Sequence, residues 1–568
     1  MPLALSLKAI GKRCWGTSER SASSQPSRAL TLTCRGKSIN RDELLKYTNG
    51  HFLANEKQAV DRRYVNFDVD RLCAVAASTG SQRSSPVRSI EKLEGGFSKA
   101  LLLCKEDRSE LIAKLPFTIA GPPKYTTASE VAVLQYLRAH TQVPVPKVLA
   151  WNSDPLNPVG SEYIIMEKAP GIQLYKVWAE MSDWDQLCVV KHLTKLEGEI
   201  TEIRFPASGS LYLRESMSEN DKYVALDHKL DPSERFCIGP SCERGWHPSG
   251  KIASVQSRLN RGPWPDRSSF GIALVEREIA LLRQDSTTAT SDSPRGSFEE
   301  QTAVLKLTKE IMSRLDEVSL IDKVSEPVLW HTDLHMGNIY VSEESPANIV
   351  SLIDWQTIVV SPLFLQARFP EFLPVEEDYT LGTTDLPKLP PNYNEMDVSD
   401  QEYADYKLKE AKLAKVYELS SGSENNQAYK ALRVPSFLRE LFIRCGEVSG
   451  EGVIPLQACL IELSEAWNDL GFAGQCPVTF NEDDLKSHKQ QFQEYRDYHK
   501  IHELARKILG TDFEGWITHQ VDFAAKQQQN EELLQEFMRR STEYNKSPEE
   551  IRRIWPYLER SQTEQSSD

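Results

Sequence analysis

Nowhere in this 568-residue chain does an apolar run reach 18 residues, so a membrane-spanning helix is not expected. Cysteine lacks organisation. Ten are scattered through the chain, and Cys237 and Cys242 stand five apart with no second pair to complete a zinc spacing. Ordinary reduced, largely buried thiols are the expectation. There is no internal repeat, and there is no excess of positive charge: 67 Lys and Arg stand against 82 Asp and Glu, a net charge of −15. That balance argues against broad binding to nucleic acid or to an anionic membrane. What is present is ordinary for a folded protein, with 40% hydrophobic, 9% aromatic and 26% charged residues, so wholesale disorder and fibrous repeats are excluded. The length suits three or four domains, or one two-lobed enzyme with extensions.

The charge is unevenly placed. Residues 1–40 carry seven basic side chains (Lys8, Lys12, Arg13, Arg20, Arg28, Arg35, Lys37) against the single acid Glu19, leaving −21 on the remainder. With its serines and with Leu3, Leu5, Leu7 and Ile10 beside the cations, this segment has the composition of a mitochondrial transit peptide. Residues 41–89 read as a helical extension, with helical signals at Asp42–Tyr47 and Val69–Ala77. Residues 90–170 read as a strand-rich lobe. Leu101–Cys104, Leu111–Leu115, Lys147–Trp151 and Tyr163–Met166 are its short strands, and its one helix runs from Ser129 to His140. Thr127 and Glu130 are spaced for a capping box there. Residues 171–480 form a helical lobe containing a long insertion at 205–298, whose stretch 284–297 is of low complexity. Charged helices near 482–505 and 513–541, expected as solvated scaffold, lie within a final segment at 481–568.

One segment carries chemistry. Leu329-Trp-His-Thr-Asp-Leu-His-Met-Gly-Asn-Ile-Tyr-Val341 is followed by a second apolar strand that delivers Ile353-Asp354-Trp355. Phosphoryl transfer needs an acceptor hydroxyl held in line with the γ-phosphate, and a Mg²⁺ that prefers carboxylate and amide oxygens. Asp333 can orient the hydroxyl and take its proton, while Asn338 and Asp354 face the metal. The small lobe supplies the rest. In Leu111-Ile-Ala-Lys-Leu115 the strand period puts Ile112 and Lys114 on one face, aiming an ammonium at nucleotide phosphates, and Glu130 is placed to hold it. Gly95, Gly96 and Ser98 lie in a turn between apolar segments where backbone amides can approach phosphate, although a full G-x-G-x-x-G is absent. Met166-Glu-Lys-Ala-Pro-Gly171 reads as the connector between lobes, with main-chain groups of Glu167 and Ala169 available to adenine.

In this order the residues resemble the aminoglycoside phosphotransferase family, which shares the protein-kinase-like fold. The leader, the Tyr47–Phe67 stretch and Glu234-Arg-Phe-Cys-Ile-Gly-Pro240 are similar to fungal mitochondrial phosphotransferase-family proteins of the altered-inheritance-of-mitochondria 9 type. The resemblance, over about residues 42–560, implies an α+β bilobal fold: a small antiparallel-sheet lobe with one main helix, and a large helical lobe. It also implies ATP or GTP with Mg²⁺, a small-molecule acceptor and a mitochondrial location, the matrix first. Trp355 replaces the Phe-Gly of a protein-kinase D-F-G, and no A-P-E segment follows, which favours a small molecule over a protein substrate. Two rival readings stand beside this one. A kinase-like chain could serve as a catalytically silent ATP-binding scaffold, and His331, Asp333 and His335 spell H-x-D-x-H, a possible zinc hydrolase site.

Overall fold

A computed structural model describes residues 30–80, 84–247, 259–285, 295–376, 379–382 and 385–558. The small lobe is built from β1 (Thr31–Cys34), β2 (Lys37–Ser38), α1 (Arg41–Leu45), β3 (Gly50–Phe52), α2 (Glu56–Asp61), α3 (Val69–Ala77), β4 (Val87–Glu94), β5 (Ser98–Lys105), β6 (Glu110–Pro116), α4 (Tyr125–His140), β7 (Val148–Asn152) and β8 (Tyr163–Glu167). Seven strands pair in the order β2-β1-β4-β5-β6-β8-β7. The sheet is antiparallel except at β1, which runs parallel to β4, so the sheet is mixed rather than wholly antiparallel. Residues 31–38, assigned by composition to the leader, are therefore part of this sheet; the rest of the leader, residues 1–29, lies outside the described residues.

Both faces of the sheet are covered, for a reason visible in β5 and β6. Leu101, Leu103, Leu111, Ala113 and Leu115 project to the outer face and are buried against Leu44, Tyr47, Phe52 and Leu72 of the extension. Ile112 on the opposite face packs with α4 and the large lobe. Strands buried on both sides carry near-continuous apolar runs, and burying such side chains contributes roughly 1.5–3 kcal/mol each. The extension is thus the second wall of the small lobe rather than an appendage. Helix α4 begins at Tyr125, four residues before the expected start, with Lys124 at its N-cap making no side-chain cap bond. The expected capping box is not formed. Thr127 lies inside the helix, and Glu130 is turned inward to Lys114.

The large lobe holds β9 (Ile172–Gln173), α5 (Asp183–Thr201), a three-stranded sheet of β10 (Ser210–Leu213), β11 (Val224–Ala225) and β12 (Phe236–Gly239), then helices Arg267–Asp285 and Phe298–Met312. The insertion thus carries this small sheet and the helix Arg267–Asp285, and the tilted rings of Trp246 and Trp264 meet at 4.8 Å within it; residues 248–258 and 286–294 lie outside the description. Strands β13 (Pro327–Leu329), β14 (Ile339–Val341), β15 (Ile349–Leu352) and β16 (Val360–Pro362) frame the chemical segment, and the helices Val398–Glu424, Ser436–Cys445 and Ile454–Ala466 complete the lobe. Among the described residues no helix is long and apolar enough to cross a membrane.

The C-terminal charged helices, Glu482–Leu509 and Phe523–Arg539, flank a strand, β17 (Trp516–Thr518), where helix was expected. Strand β17 pairs antiparallel with β3 of the extension. Leu53 of the extension shares a core with Ile501, Leu509, Ile517, Phe537 and Trp555. The two ends of the chain therefore form one module against the small lobe.

Candidate functional site

Strand β6 lies in mid-sheet, with Lys114 opposite Ala100 of β5 and Ile164 of β8. A strand held on both sides delivers its side chain at a fixed depth. Lys114 Nζ donates to Glu130 Oε1 of α4 at 2.7 Å and to Asp354 Oδ1 at 2.6 Å, so one ammonium joins the small lobe to the large one. The Lys114 and Glu130 side chains are 9% and 3% exposed, whereas Asp354 keeps 39% open to the cleft. Burial alone would lower the lysine pKa, but the fields of Asp354 and Glu130 reverse this and hold it above the ordinary value. Burial pushes Glu130 up against the pull of Lys114. Burial also works against the charge of Asp354, yet Lys114 overcomes it and holds that carboxyl below its usual range.

Asp354 adopts a left-handed backbone with φ of +64°. A non-glycine residue in this region costs on the order of 1–3 kcal/mol and persists only where its surroundings enforce it. Here they do: Trp355 is completely buried and donates from Nε1 to the carbonyl of Leu352 at 3.1 Å, and the amide of Ile353 donates to the carbonyl of Asn338 at 3.0 Å. The tryptophan that stands in place of Phe is the anchor of the turn.

The catalytic-loop candidates are locked by the same contacts. The amide of Asp333 donates to His331 Nδ1 at 3.3 Å, which makes Nε2 the protonated nitrogen that donates to the carbonyl of Ile353 at 2.9 Å. The ring lies edge-on to Trp355 at 4.6 Å, and burial lowers its pKa. Asn338 Nδ2 donates to the carbonyl of Asp333 at 2.9 Å, committing its nitrogen and leaving its oxygen for another partner. Both ring nitrogens of His331 are thus engaged, and His335 Nδ1 accepts from the amide of Gly337 at 3.0 Å. The H-x-D-x-H sequence does not converge on a point where zinc could sit, and no cluster of three or more His, Cys, Asp or Glu suited to a metal occurs among the described residues.

Gly95, Gly96 and Phe97 form the β4–β5 turn, closed by the amide of Gly95 donating to the carbonyl of Ser98 at 3.0 Å. A β-carbon on Gly96 would meet nothing within 4 Å, and neither glycine has positive φ, so the hairpin itself does not require them. Ser98 shares the cleft face of β5 with Ala100, which lies opposite Lys114. At the connector, the amide of Glu167 donates to the carbonyl of Lys147 at 2.9 Å, and Ala169 is buried.

Three arginines that the motifs did not indicate also reach this region. Arg63 donates to the carbonyl of Gly96 at 3.3 Å and pairs with Glu514 of the C-terminal module. Arg244, from the insertion, lies over the Phe97 ring at 3.8 Å, with Glu514 and Asp333 close enough to support its charge. Arg368 lines a cavity of about 190 Å³ together with Asp333. Arg63 and Arg244 lie far from the motif in sequence and Arg368 follows Asp354 with no pattern to mark it, so only Tyr47 and Phe52, the near aromatic partners of Arg63, could have drawn attention to one of them.

No protein-family model matches the chain. A subtelomeric hrmA-associated cluster protein of Aspergillus fumigatus is 29% identical, covering 82% of this chain and 96% of its own length. The protein named altered inheritance of mitochondria protein 9, mitochondrial, of Saccharomyces cerevisiae is 24% identical over 88% of this chain and 90% of its own. Among solved structures, the streptomycin–ATP complex of the aminoglycoside phosphotransferase APH(2")-IIa is similar at a TM-score of 0.33 and 12% identity, covering 68% of this chain and 94% of that one.

Proposed function

We propose that the chain transfers the γ-phosphate of ATP or GTP to a hydroxyl of a small molecule, with Mg²⁺ as cofactor. The observation that carries this is the Lys114 bridge between Glu130 of one lobe and Asp354 of the other, set beside the linked pair Asp333 and Asn338. Lys114 is placed for the nucleotide's phosphates, held by Glu130. The carbonyl of Glu167 and the amide of Ala169 suit the edge of the base, and the amides of Gly95, Gly96 and Ser98 the phosphates. Asp333 orients the acceptor hydroxyl and receives its proton. Asp354 and the free amide oxygen of Asn338 are the hard oxygen donors that suit Mg²⁺, which completes its shell with phosphate and water rather than an all-protein cage. When bound, that ion neutralises charge on the transferring phosphoryl group. The acid-poor leader, together with relatives named as mitochondrial, supports a mitochondrial location.

A scaffold reading retains one observation in its favour: the turn over the phosphates is only three residues long, and Arg63 already occupies the carbonyl of Gly96. Transfer of labelled γ-phosphate into a mitochondrial metabolite extract, abolished by Asp333→Asn, is the expected outcome. Binding of Mg-ATP with no labelled product would favour the scaffold, and indifference to both Mg-ATP and Mg-GTP would remove both readings.

A further inference from the structure

Within the phosphotransferase reading, the acceptor side of Asp333 has a chemical bias. The cavity there is lined by Trp330, Thr332, Asp333, Leu334, Arg368 and Phe369 among others, and by none of Lys114, Glu130, Asn338 or Asp354. It meets the catalytic loop on the flank away from the residues assigned to nucleotide. At about 190 Å³ it is below the usual range of ligand pockets, roughly 300–1,000 Å³, so it suits a compact acceptor or one end of a larger one.

One guanidinium reaches it with its terminal fork unpaired. Arg368 is tethered by its Nε to the carbonyl of Gln366 at 3.1 Å and, among the described residues, forms no ion pair; the carboxylate acting on it is Asp333. Arg439 is held the same way, Nε to the carbonyl of Phe364 at 2.8 Å, and burial followed by the nearby Arg368 charge lowers its pKa. Glu197 also lines the cavity, but it is buried, accepts from the Tyr417 hydroxyl at 2.8 Å and is pushed up to about 8, so near neutrality it is mostly uncharged. Glu371 is exposed at the rim. Arg244, from the insertion of the same lobe, has its guanidinium 3.8 Å from the centre of the Phe97 ring, with Asp333 acting on its charge and no ion pair among the described residues. A guanidinium tethered through Nε keeps the terminal fork that reads carboxylate or phosphate, and Arg368 and Arg244 are both exposed, so that fork is open to a ligand.

We propose that the acceptor carries a compact oxyanion, a carboxylate or phosphate, close to the hydroxyl that is phosphorylated, and that Arg368, with Arg244 of the insertion, recognises it. The acceptor oxygen forms the new bond to the γ-phosphorus as the bond to the β,γ-bridging oxygen breaks. The nucleoside diphosphate leaves with that electron pair, and the hydroxyl proton passes to Asp333 and then to solvent. A polycationic hydroxyl compound would meet repulsion at these arginines, and a neutral polyol would leave them unsatisfied.

The test uses the full-length protein and three matched probes: glycerate, glycerol 3-phosphate and glycerol, with an aminoglycoside as the cationic control. Binding is read by calorimetry and by tryptophan fluorescence, since Trp330 lines the cavity; transfer is read with γ-labelled ATP. The two anions are expected to bind at least tenfold more tightly than glycerol. Arg368→Ala is expected to erase that preference, and Arg368→Lys to restore part of it by returning charge without the fork. In turnover with an anionic acceptor, Arg368→Ala should raise the acceptor KM more than tenfold while the ATP KM changes less than twofold. A rise confined to the ATP KM would assign the arginine to the nucleotide's phosphates and overturn the inference. Equal use of glycerol or the aminoglycoside, unaltered by Arg368→Ala, would overturn it while leaving the phosphotransferase reading intact. Anion binding that depends on Arg368, with no transfer to any acceptor, would support the recognition site and reject the transfer reading instead.

Discussion

Replacing Lys114 with methionine tests the central bridge without presupposing catalysis. The substitution keeps an unbranched side chain in mid-strand and removes the ammonium from between Glu130 and Asp354, 2.7 and 2.6 Å away. Asp354 is partly open to the cleft and can recover water, but Glu130 is only 3% exposed and cannot. Stranding one member of a buried pair costs about 3–5 kcal/mol. At about 1.4 kcal/mol per tenfold, amide-exchange protection in β6 and α4, at Ala113, Leu115 and Val131, should fall by roughly two to nearly four orders of magnitude. The sign with pH follows from the burial that already raises Glu130. Without Lys114 its folded-state pKa lies further above the unfolded value, so the native state takes up a proton that the unfolded chain does not. The deficit is then smallest below the unfolded pKa of about 4.5 and grows as pH rises. Lys114→Met combined with Glu130→Gln should recover most of the loss, as expected for two residues that act as a pair. Native-like protection in the single variant at pH 7.5, or a loss that does not fade towards pH 5, would refute the account.

Three further outcomes follow from the same geometry. In steady-state transfer assays Asp354→Ala should lower kcat by about 10³-fold or more, and Asn338→Ala by about 10²-fold, because only the former removes a full charge; the reverse order would reject the roles given to them. Gly171→Ala should destabilise the protein by about 2–3 kcal/mol, since φ there is +78° and the new carbon would lie 2.2 Å from the carbonyl oxygen of Val341, a backbone atom with nowhere to go; an unchanged urea midpoint would contradict this. Glu197, raised by burial to about 8, contributes stability that is complete below pH 4.5 and is lost as pH rises through 8, so Glu197→Gln should flatten the unfolding midpoint between pH 5 and 9, and an unaltered slope would show that the group is not neutral in the folded chain.

What was legible in the sequence was local. Period-two alternation put Ile112 and Lys114 on one strand face, and the segment Val69–Ala77 is helical with the bounds its pattern suggested. The five-residue spacing of Asp333 and Asn338 is a short loop closed by its own hydrogen bond, and the hairpin of β14 and β15 returns Ile353 and Asp354 beside it. The capping box at Thr127 was illegible because a stronger demand, the charge of Lys114, turned Glu130 inward. Strand β1 was hidden for a different reason. A basic, serine-rich composition describes residues 1–40 as a whole, yet Thr31–Cys34 alternates well enough to join an edge. Strand β17 was hidden because its partner lies 466 residues away, as Ile517 pairs with His51, and no local pattern records a pairing of that separation.

The incomplete glycine turn and the non-local additions bear on each other. The three-residue turn between β4 and β5 has little internal stiffness, since its one closing bond joins Gly95 to Ser98. Just outside it, Lys92 and Lys99 are buried on the extension, donating to the carbonyls of Glu43, Leu44 and Lys46 at the end of α1, where the helix leaves its acceptors unsatisfied. Glu94 sits between those two ammonium groups and also accepts from the amide of Thr48, which fixes the strand end on which the turn begins. Arg63, packed over Phe52 and paired with Glu514, fixes the tip at Gly96, and Arg244 covers Phe97. Here the extension places Arg63 and the insertion places Arg244 on a three-residue turn, while the C-terminal module braces Arg63 through Glu514, so parts of the chain that look appended in sequence set the position of that turn's amides.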